Sequence, residues 1–555
     1  MSTITQSFPS TDNRTVRVLS SLSGALPAEI SIHPLIGMVG VALGAVIATI
    51  NGRLLSVGLP DIRGAMGLGQ DEASWIPTVL NMGMMFIGPF SVYLGGILGA
   101  RKVLLTCATI LIVVSLLSPF SPNLSVLLLL QAIAGLSAGS FYPLAMSFIL
   151  RNLPLRYTIF AIAAYAAAID FSTNVAIFMH AYFMHNLSWR FDFWTATLLT
   201  PFMMWFVSKG IPSSPPVSDK EFIRKWMGFV YASCGLALLY GALDQGERLD
   251  WLNSGTFVAM LCTALFFLTA TLVRRVRMPN PFVDIPFIKQ RNTLLMAIVL
   301  GIFRFVLLTT VLLIPQYLGV VRSLRPEQIG DTLLWVALPQ LPLALLAALL
   351  LRRIDSRLPL AVGFGFVAIA CIMNSHLSSD WDRSNFVASQ IVMAVGQSMA
   401  FTSVVANWVM QAFNTGALRK PQWVLTFSAF IHTIRIFGGE CGASLMTHFL
   451  SAREKVHSNL IGLHADFGNW RVTERLSTLA AGMAPTSNGM DGASARAVGL
   501  MALQVRRQAF TEAIVDGFIL CGWAVVLCLL IVALLERAPI AYSDLDTVPG
   551  KPVSA

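Results

Sequence analysis

Long apolar segments recur along almost the whole chain, and short polar segments separate them. Most of the apolar segments approach the ~20 residues that an α-helix needs to cross a lipid bilayer. The pattern predicts fourteen membrane-spanning helices, at residues 35–57, 74–97, 103–119, 124–149, 158–184, 191–209, 226–243, 254–273, 293–315, 330–351, 358–376, 386–412, 422–449 and 512–535. We therefore expect an all-α polytopic membrane protein.

One polar segment, residues 451–511, is much longer than the others. Arg453, Glu454 and Lys455 are expected to extend span 13 as a helix, and a stretch rich in Gly, Ser and Asn from Pro485 to Ser494 to break it. A second helix resumes before span 14. Two interpretations are open: a solvated loop, or a docking surface for a periplasmic partner.

The composition supports a membrane protein. Of the 555 residues, 55% are hydrophobic and 12% are charged, whereas a soluble domain carries about 25% charged residues. The net charge of +10 could indicate a nucleic-acid partner, but the basic residues form short clusters between the spans and no basic domain exists. That arrangement favours membrane orientation over nucleic-acid binding.

The basic residues are unevenly distributed between alternate loops. One set of loops contains Arg101, Lys102, Arg151, Arg156, Arg274, Arg275, Arg352 and Arg353. Because Lys and Arg mark the cytoplasmic side of a membrane protein, both chain termini are predicted to be cytoplasmic. This orientation requires an even number of spans, in agreement with fourteen.

No enzyme motif is present in the sequence. There is no phosphate-binding loop, no His-Glu-x-x-His and no dinucleotide fingerprint. The seven cysteines lie in or beside apolar segments without Cys-x-x-Cys spacing, which is typical of packing residues. We therefore expect neither enzymatic activity nor a metal or cofactor, and ATP is not expected to be a direct energy source.

Several local motifs lie within the predicted spans or at their ends. They are Val57-Gly58-Leu59-Pro60, the Arg101-Lys102 pair after Gly99, Ala134-Gly135-Leu136-Ser137-Ala138-Gly139, Leu243-Asp244-Gln245-Gly246-Glu247, and Arg435-Ile436-Phe437-Gly438-Gly439. Together with the span pattern, they resemble the EmrB/QacA-type drug exporters, the fourteen-span branch of the major facilitator superfamily. The resemblance covers residues 40 to 537.

This resemblance implies a major facilitator fold. Spans 1–6 and 9–14 would form two six-helix bundles, spans 7 and 8 would be inserted between them, and substrate would bind at the midplane. The corresponding regions are a cytoplasmic tail at 1–34, the first bundle at 35–209, the inserted pair with linkers at 210–292, the second bundle at 293–535 including periplasmic segment 451–511, and a cytoplasmic tail at 536–555.

The resemblance also implies a function. The expected activity is secondary active export of drugs or other small amphipathic compounds across the inner membrane by proton antiport with alternating access. The expected partners are the lipid bilayer, protons, the small-molecule substrate, and, as candidates, a periplasmic adaptor (membrane fusion protein) and an outer-membrane channel. Nucleic acid is not expected as a partner.

The sequence departs from this family at positions linked to proton coupling. Asn51 replaces an acid in span 1, Gln131 replaces an arginine in span 4, and Gly96 replaces an acid near span 3. The glycine-proline motif of span 5 is replaced at Ala176, Ile177, His180 and Ala181. A facilitator, or an exporter of one metabolite without standard proton coupling, is therefore an alternative.

The charged residues inside predicted spans include Arg53, Asp170, Arg304, Arg435 and Glu440. A charge there costs at least ~2.5 kcal/mol. One hypothesis is that Glu440 or Asp170 takes up and releases a proton as its partner changes between two conformations. The alternative is static pairing of acids with arginines that only fixes the packing. For Arg53, snorkelling to the membrane surface is a further alternative.

Helix geometry relates three of the span 13 residues. Glu440 follows Arg435 by five positions, which places the two side chains about 140° apart, so we do not expect them to pair. His432 lies one turn before Arg435, on the same face. His432, like His180, could relay protons, or it could be a hydrogen-bonded packing residue.

Polar residues in the spans predict the walls of a substrate cavity. The candidates are Asn51, Gln131, Tyr142, Gln397, Thr402 and Asn407. The chain also contains 35 Phe and 23 Met residues, which can repack around varied apolar ligands. Small residues four apart, such as Gly135 and Gly139, are expected to allow close helix contacts.

Overall fold

The computed structural model describes residues 33–213, 226–277, 288–414, 421–465, 468–486 and 490–536. The predicted tails at 1–34 and 536–555 lie almost entirely outside the described residues. Helices of eight or more residues in this part of the chain are α1 Pro34–Val57, α2 Leu59–Met66, α3 Gln70–Leu98, α4 Ala100–Leu117, α5 Leu124–Gly139, α6 Phe141–Asn152, α7 Leu155–Asn186, α8 Phe191–Gly210, α9 Trp226–Gly246, α10 Gly255–Arg277, α11 Arg291–Val306, α12 Pro326–Arg353, α13 Arg357–Asn374, α14 Val387–Asn414, α15 Pro421–Gly462, α16 Trp470–Met483 and α17 Met490–Ala533.

The all-α membrane fold predicted from the hydrophobic pattern is confirmed. Eleven helical segments among the described residues are long and apolar enough to cross a bilayer. The three other predicted spans coincide with α3, α8 and α15, which are at least as long as a span but carry more polar residues. The structure is therefore consistent with fourteen spans.

Two spans are interrupted, and a proline explains each interruption. Span 4 consists of α5 and α6, which meet at Ser140, because Pro143 has no amide hydrogen for the carbonyl of Gly139. Span 9 continues beyond α11 in wide π-helical turns on both sides of Pro315. Such turns are frequent at functional sites.

The spans pack as two groups with a seam between them. Within the first group, α1 packs on α8 and α3 on α5; within the second, α13 packs on α14 and α15 on α17. Across the seam, α7 lies along α12, and α3 and α6 contact α15. Buried amides join the two groups: Asn174 donates to Gln340 and Gln397, each over 3.2 Å, and Gln340 donates to Gln397 over 2.8 Å.

The two helices between these groups, α9 and α10, differ in their surroundings. Helix α9 packs against α3 and α15, whereas α10 packs mainly on α9 and is largely exposed. Beyond the end of α9, Glu247 binds His448 of α15 over 2.8 Å. Burial acts to raise the pKa of Glu247, but hydrogen bonds from His448 and Trp251 outweigh it, and this pKa lies below its usual value. The inserted pair thus contacts both groups, through α3 of the first and α15 of the second.

The 451–511 segment is more helical than the sequence predicts. Helix α15 runs without interruption to Gly462, and Asp516 of α17 binds Arg453 over 2.6 Å and His457 over 2.7 Å. The expected break from Pro485 to Ser494 is shorter, because α17 already begins at Met490. The helix that is predicted to extend from span 13 to the break at Pro485 is divided in the structure: α15 ends at Gly462, and a separate helix, α16, begins at Trp470 and packs on α17.

We call the end of the molecule that carries residues 451–511 the loop end, and the opposite end, which carries Arg101 and Arg353, the basic end.

Candidate functional site

A cavity of about 390 Å³ lies in the seam between the two groups of spans. Its wall is built by α1, α3, α6 and α7 of the first group, by α9, and by α11 and α15 of the second group together with the wide turns after α11. The polar side chains of the wall include Thr49, Arg53, Tyr142, Asp244, Arg304, Arg435 and Glu440. The cavity is therefore shared by both groups and the inserted helix.

The cavity lies toward the loop end. Ser56 of α1, Pro77 of α3 and Asp244 of α9 line it, and each belongs to the part of its helix nearest that end. Toward the basic end the seam is filled instead: residues 141–150 of α6 are all buried, and α6 packs on α15. The structure thus shows a conformation closed at the basic end.

The three arginines predicted inside spans are all on the cavity wall, although α1, α11 and α15 supply one each. The guanidinium carbon of Arg435 lies 3.9 Å from the ring centre of Tyr142, and the Tyr142 hydroxyl is 2.7 Å from Oγ1 of Thr49. Arg304 lies within electrostatic range of both Arg53 and Arg435. The fold therefore gathers the three charges at one place.

The paired glycines after Arg435 make this arrangement possible. A Cβ atom on Gly438 would stand 2.9 Å from Cα of Gly301, so Gly438 allows α15 to approach α11 closely. A Cβ atom on Gly439 would stand 3.3 Å from Nε and a terminal nitrogen of Arg304. The motif is thus explained by helix contact at Gly438 and by space for a guanidinium group at Gly439.

The acid of span 13, Glu440, pairs with an acid that sequence reasoning did not select. The carboxyl group of Glu440 lies within hydrogen-bonding reach of the carboxyl group of Asp244 and of the hydroxyl group of Tyr240, both on α9. Asp244 also accepts a hydrogen bond from Thr78 of α3. Since an ionised carboxylate cannot donate a hydrogen bond, a direct bond between two carboxyl groups requires one shared proton. The sequence signal for Asp244 is the Leu243-to-Glu247 motif, which follows the predicted span 226–243.

Asp170 is buried behind the cavity wall. It lies on α7, within electrostatic range of Arg304 and Arg435, and its Oδ1 atom has no hydrogen-bond partner among the described residues. The structure therefore brings Asp170 toward the arginines but not onto the wall with Glu440.

His432 packs between helices at the inner limit of the cavity. Its Nε2 atom is 3.2 Å from the carbonyl oxygen of Met84, and its ring centre is 5.3 Å from that of Tyr142. Arg435 contacts the same tyrosine. His432 thus contacts an aromatic ring and a backbone carbonyl group. Glu440 instead contacts Asp244 and Tyr240.

Of the six predicted cavity residues, Tyr142 is the one on the cavity wall. Gln131 donates to the hydroxyl of Ser118 over 2.9 Å, and Gln397 belongs to the amide cluster between α7, α12 and α14. The other three are buried away from the wall in this conformation: Asn51, Thr402 and Asn407.

A second buried polar cluster joins three elements at the loop end. The ring of His180 lies between Asp192 of α8, at 3.0 Å, and Asp61 of α2, also at 3.0 Å. The side chains of His180 and Asp192 are fully buried, whereas that of Asp61 is 36% exposed. A Cβ atom on Gly58 would stand 3.0 Å from the imidazole ring, which explains the glycine of the Val57-to-Pro60 motif.

We expect His180→Ala to destabilise the protein by about 3–5 kcal/mol, because it leaves the buried carboxylate of Asp192 without its partner. The measurement is thermal or denaturant unfolding of purified protein in detergent. Asp61→Ala should cost clearly less, since Asp61 is partly exposed. The double variant His180→Leu/Asp192→Leu should recover much of the loss, because it removes the unpaired charge; equal losses in all three variants would contradict this explanation.

Comparisons with known proteins agree with the fold. The family model described as "Major Facilitator Superfamily" matches residues 41–417. The chain is 25% identical over 448 residues to the colistin resistance protein EmrB of Acinetobacter baumannii, covering 79% of this chain and 84% of that protein. It is 22% identical over 431 residues to the fatty acid resistance protein FarB of Neisseria gonorrhoeae, covering 76% and 82%.

This chain is similar to a solved structure over nearly the whole length of both proteins. The proton:xylose symporter XylE aligns with a TM-score of 0.56 and 11% sequence identity, covering 93% of this chain and 99% of the symporter. At this identity, the similarity shows the fold alone.

Proposed function

This chain belongs to the major facilitator superfamily, and from that premise we propose that it exports amphipathic small molecules through the central cavity in exchange for protons. It is a secondary transporter and not an enzyme. The observation that carries the proposal is the cavity itself, which both groups of spans share and on which the Glu440–Asp244 pair lies. The relatives named for resistance to colistin and to fatty acids support amphipathic substrates.

The distribution of basic residues supports an orientation of the chain in the membrane. Arg101, Lys102 and Arg353 lie at the basic end, which we assign to the cytoplasm. The loop end then faces the periplasm, and the structure corresponds to an outward-facing conformation. Export requires the same cavity to open toward the basic end by rocking of one group of spans against the other.

The Glu440–Asp244 pair supports a proton step in this cycle. The pair is open to the cavity on the loop-end side, where a proton can arrive, and the hydrogen bond between its carboxyl groups requires that one be held. Rocking of α15 against α3 and α9 would change the contacts of Glu440, and with them its affinity for the proton. A step of this kind needs neither the acid of span 1 nor the arginine of span 4, whose places are taken by Asn51 and Gln131.

The helical segment from 451 to 511 supports docking of an adaptor. Helices α15 and α17 extend beyond the spans and are joined by the Arg453–Asp516 ion pair, and α16 packs on α17. Such an ordered surface at the periplasmic end suits a membrane fusion protein that leads to an outer-membrane channel. Co-purification of a tagged chain with a periplasmic protein, lost when 463–486 is replaced by a short Gly-Ser linker, tests this contact.

We expect the purified protein in proteoliposomes to couple probe movement to a pH gradient. The probes are 1-naphthoate, 1-naphthamide and 1-naphthylmethylamine, which share one apolar body and differ in charge. At least one probe should move against its gradient when a pH gradient is imposed and should accelerate the collapse of that gradient, recorded with an internal pH-sensitive dye. Protein-free liposomes are the control, and gradient-independent movement of every probe would favour a facilitator.

A further inference from the structure

The cavity carries more positive charge than its own acids can balance. Arg53, Arg304 and Arg435 are on the wall with two acids, Glu440 and Asp244. These two carboxyl groups adjoin each other, and adjacent carboxylates disfavour double ionisation, so one shared proton leaves a single negative charge there. We propose that the transported molecule is an amphipathic organic anion, whose carboxylate or similar oxyanion is bound by these three arginines. The inference rests on the proposed function, because it names the substrate class of the same cavity.

The arginines are available to a ligand. Among the residues that the structure describes, no ion pair within 4.0 Å joins any of the three to an acid. The Nε atom of each one also lacks a hydrogen-bond partner within that part of the chain. Arg435 is only 4% exposed. A buried guanidinium group without an anionic partner is costly. Its planar fork of N–H donors matches the geometry of a carboxylate.

Asp170 does not remove this excess of positive charge. It lies behind the wall rather than on it, and its Oδ1 atom accepts no hydrogen bond from a described residue. A single carboxylate within electrostatic range of Arg304 and Arg435 leaves Arg53 without a counterion. A ligand anion inside the cavity would complete the charge balance.

Part of the cavity wall is apolar. The wide turns after α11 contribute Leu307, Leu308, Val311 and Leu312, and α15 contributes Ile436. A molecule with one anionic group and an aromatic or aliphatic body would therefore contact the arginines with one end and these side chains with the other. A volume of about 390 Å³ accommodates such a molecule.

The same wall disfavours an amphipathic cation. The acids that the described residues place on it, Glu440 and Asp244, lie within hydrogen-bonding reach of each other and of Tyr240, and Asp244 accepts a hydrogen bond from Thr78. A cationic ligand would have to break this cluster while it faces three arginines, whereas an anion leaves the cluster intact. Export of an anion and entry of a proton both carry positive charge into the cell, so the membrane potential would drive the exchange.

The test is equilibrium binding of radiolabelled 1-naphthoate to the full-length protein in lipid nanodiscs, with 1-naphthamide and 1-naphthylmethylamine as competitors. We expect naphthoate to bind about ten- to hundredfold more tightly than the amide, as charge-assisted hydrogen bonds predict. Competition by the amide or the amine that equals or exceeds that of unlabelled naphthoate would overturn the inference.

The deciding variant is Arg304→Gln, because Arg304 has no aromatic contact to lose, whereas Arg435 packs on Tyr142. It should weaken naphthoate binding at least about tenfold and leave amide binding unchanged. Arg304→Lys should restore only part of the affinity, since it keeps the charge but not the fork. Arg277→Gln, at the exposed end of α10, removes the same charge outside the cavity and is the matched control. Equal effects of Arg304→Gln and Arg277→Gln on naphthoate binding would contradict the site.

Failure of this inference and failure of the proposed function are distinguishable. If naphthylmethylamine or naphthamide is exported against a gradient and naphthoate neither binds nor moves, the exporter function stands and the anion site is wrong. If naphthoate binds in an Arg304-dependent way while no probe is coupled to the pH gradient, the anion site stands and proton exchange is wrong. A potassium diffusion potential, negative on the cytoplasmic side, should accelerate naphthoate export in the same liposomes.

Discussion

Replacing Glu440 by glutamine is expected to reduce probe-driven collapse of a pH gradient to the level of protein-free liposomes. Glutamine has nearly the shape of glutamic acid and can keep hydrogen bonds to Asp244 and Tyr240, but it cannot ionise. Exchange of labelled for unlabelled probe at equal pH, which requires no net proton movement, should continue. Loss of coupled transport while exchange continues is the result that a lost proton site specifically predicts.

Matched variants identify which acid is responsible. Asp244→Asn should have a similar effect, because it removes the other carboxyl group of the pair. Glu327→Gln, at the exposed start of α12, changes an acid far from the cavity and should have no effect. If Glu440→Gln and Asp244→Asn both couple normally while Asp170→Asn does not, the proton site is Asp170. Normal coupling in all three would exclude these acids.

Replacing Gly135 by leucine is expected to prevent recovery of folded protein. Helices α3 and α5 cross at this glycine so closely that a Cβ atom would overlap the carbonyl group of Leu80 and stand 3.1 Å from Cα of Gly83. These are backbone atoms, so no side-chain movement can relieve the overlap and the helices must separate. Overpacking of a well-packed interior costs about 1–3 kcal/mol when side chains can adjust, and here the whole contact is lost. The measurement is the monodisperse fraction after detergent extraction.

Another glycine provides the control for this substitution. Gly365 of α13 has no atom within 4 Å of the place its Cβ would occupy, so Gly365→Leu should give nearly the wild-type yield of monodisperse protein. Gly135→Ala should fall between the wild type and Gly135→Leu. A folded Gly135→Leu protein with an unchanged unfolding temperature would show that the α3–α5 contact is not required.

The sequence predicts the fold of this protein more completely than it predicts the contacts of the site. Runs of apolar residues predict spans, because every backbone polar group in a membrane must be satisfied within its own helix. This local rule is sufficient to identify α1 or α12 from the sequence. The sequence also identified Arg53, Arg304 and Arg435, since a charge inside an apolar run is costly and is seldom present without a reason.

The same local rule does not predict contacts between helices that are far apart in the sequence. Asp244 was visible in the sequence, but its partner Glu440 is 196 positions away and on another helix. Gln131 and Gln397 were selected as cavity residues because they are polar, yet their amides bind Ser118 and Gln340 in helix contacts. Polarity alone does not distinguish a side chain that faces a cavity from one that joins two helices.

The sequence by itself determined that this chain is a bundle of membrane-spanning helices with buried charges, because the cost of placing polar groups in lipid acts on each segment separately. Only the tertiary structure decided that three arginines from α1, α11 and α15 share one cavity, and that α9 supplies the carboxyl partner of Glu440. The physical reason is that the rotation of each helix about its axis, and the neighbour it faces, depend on the packing of all the others.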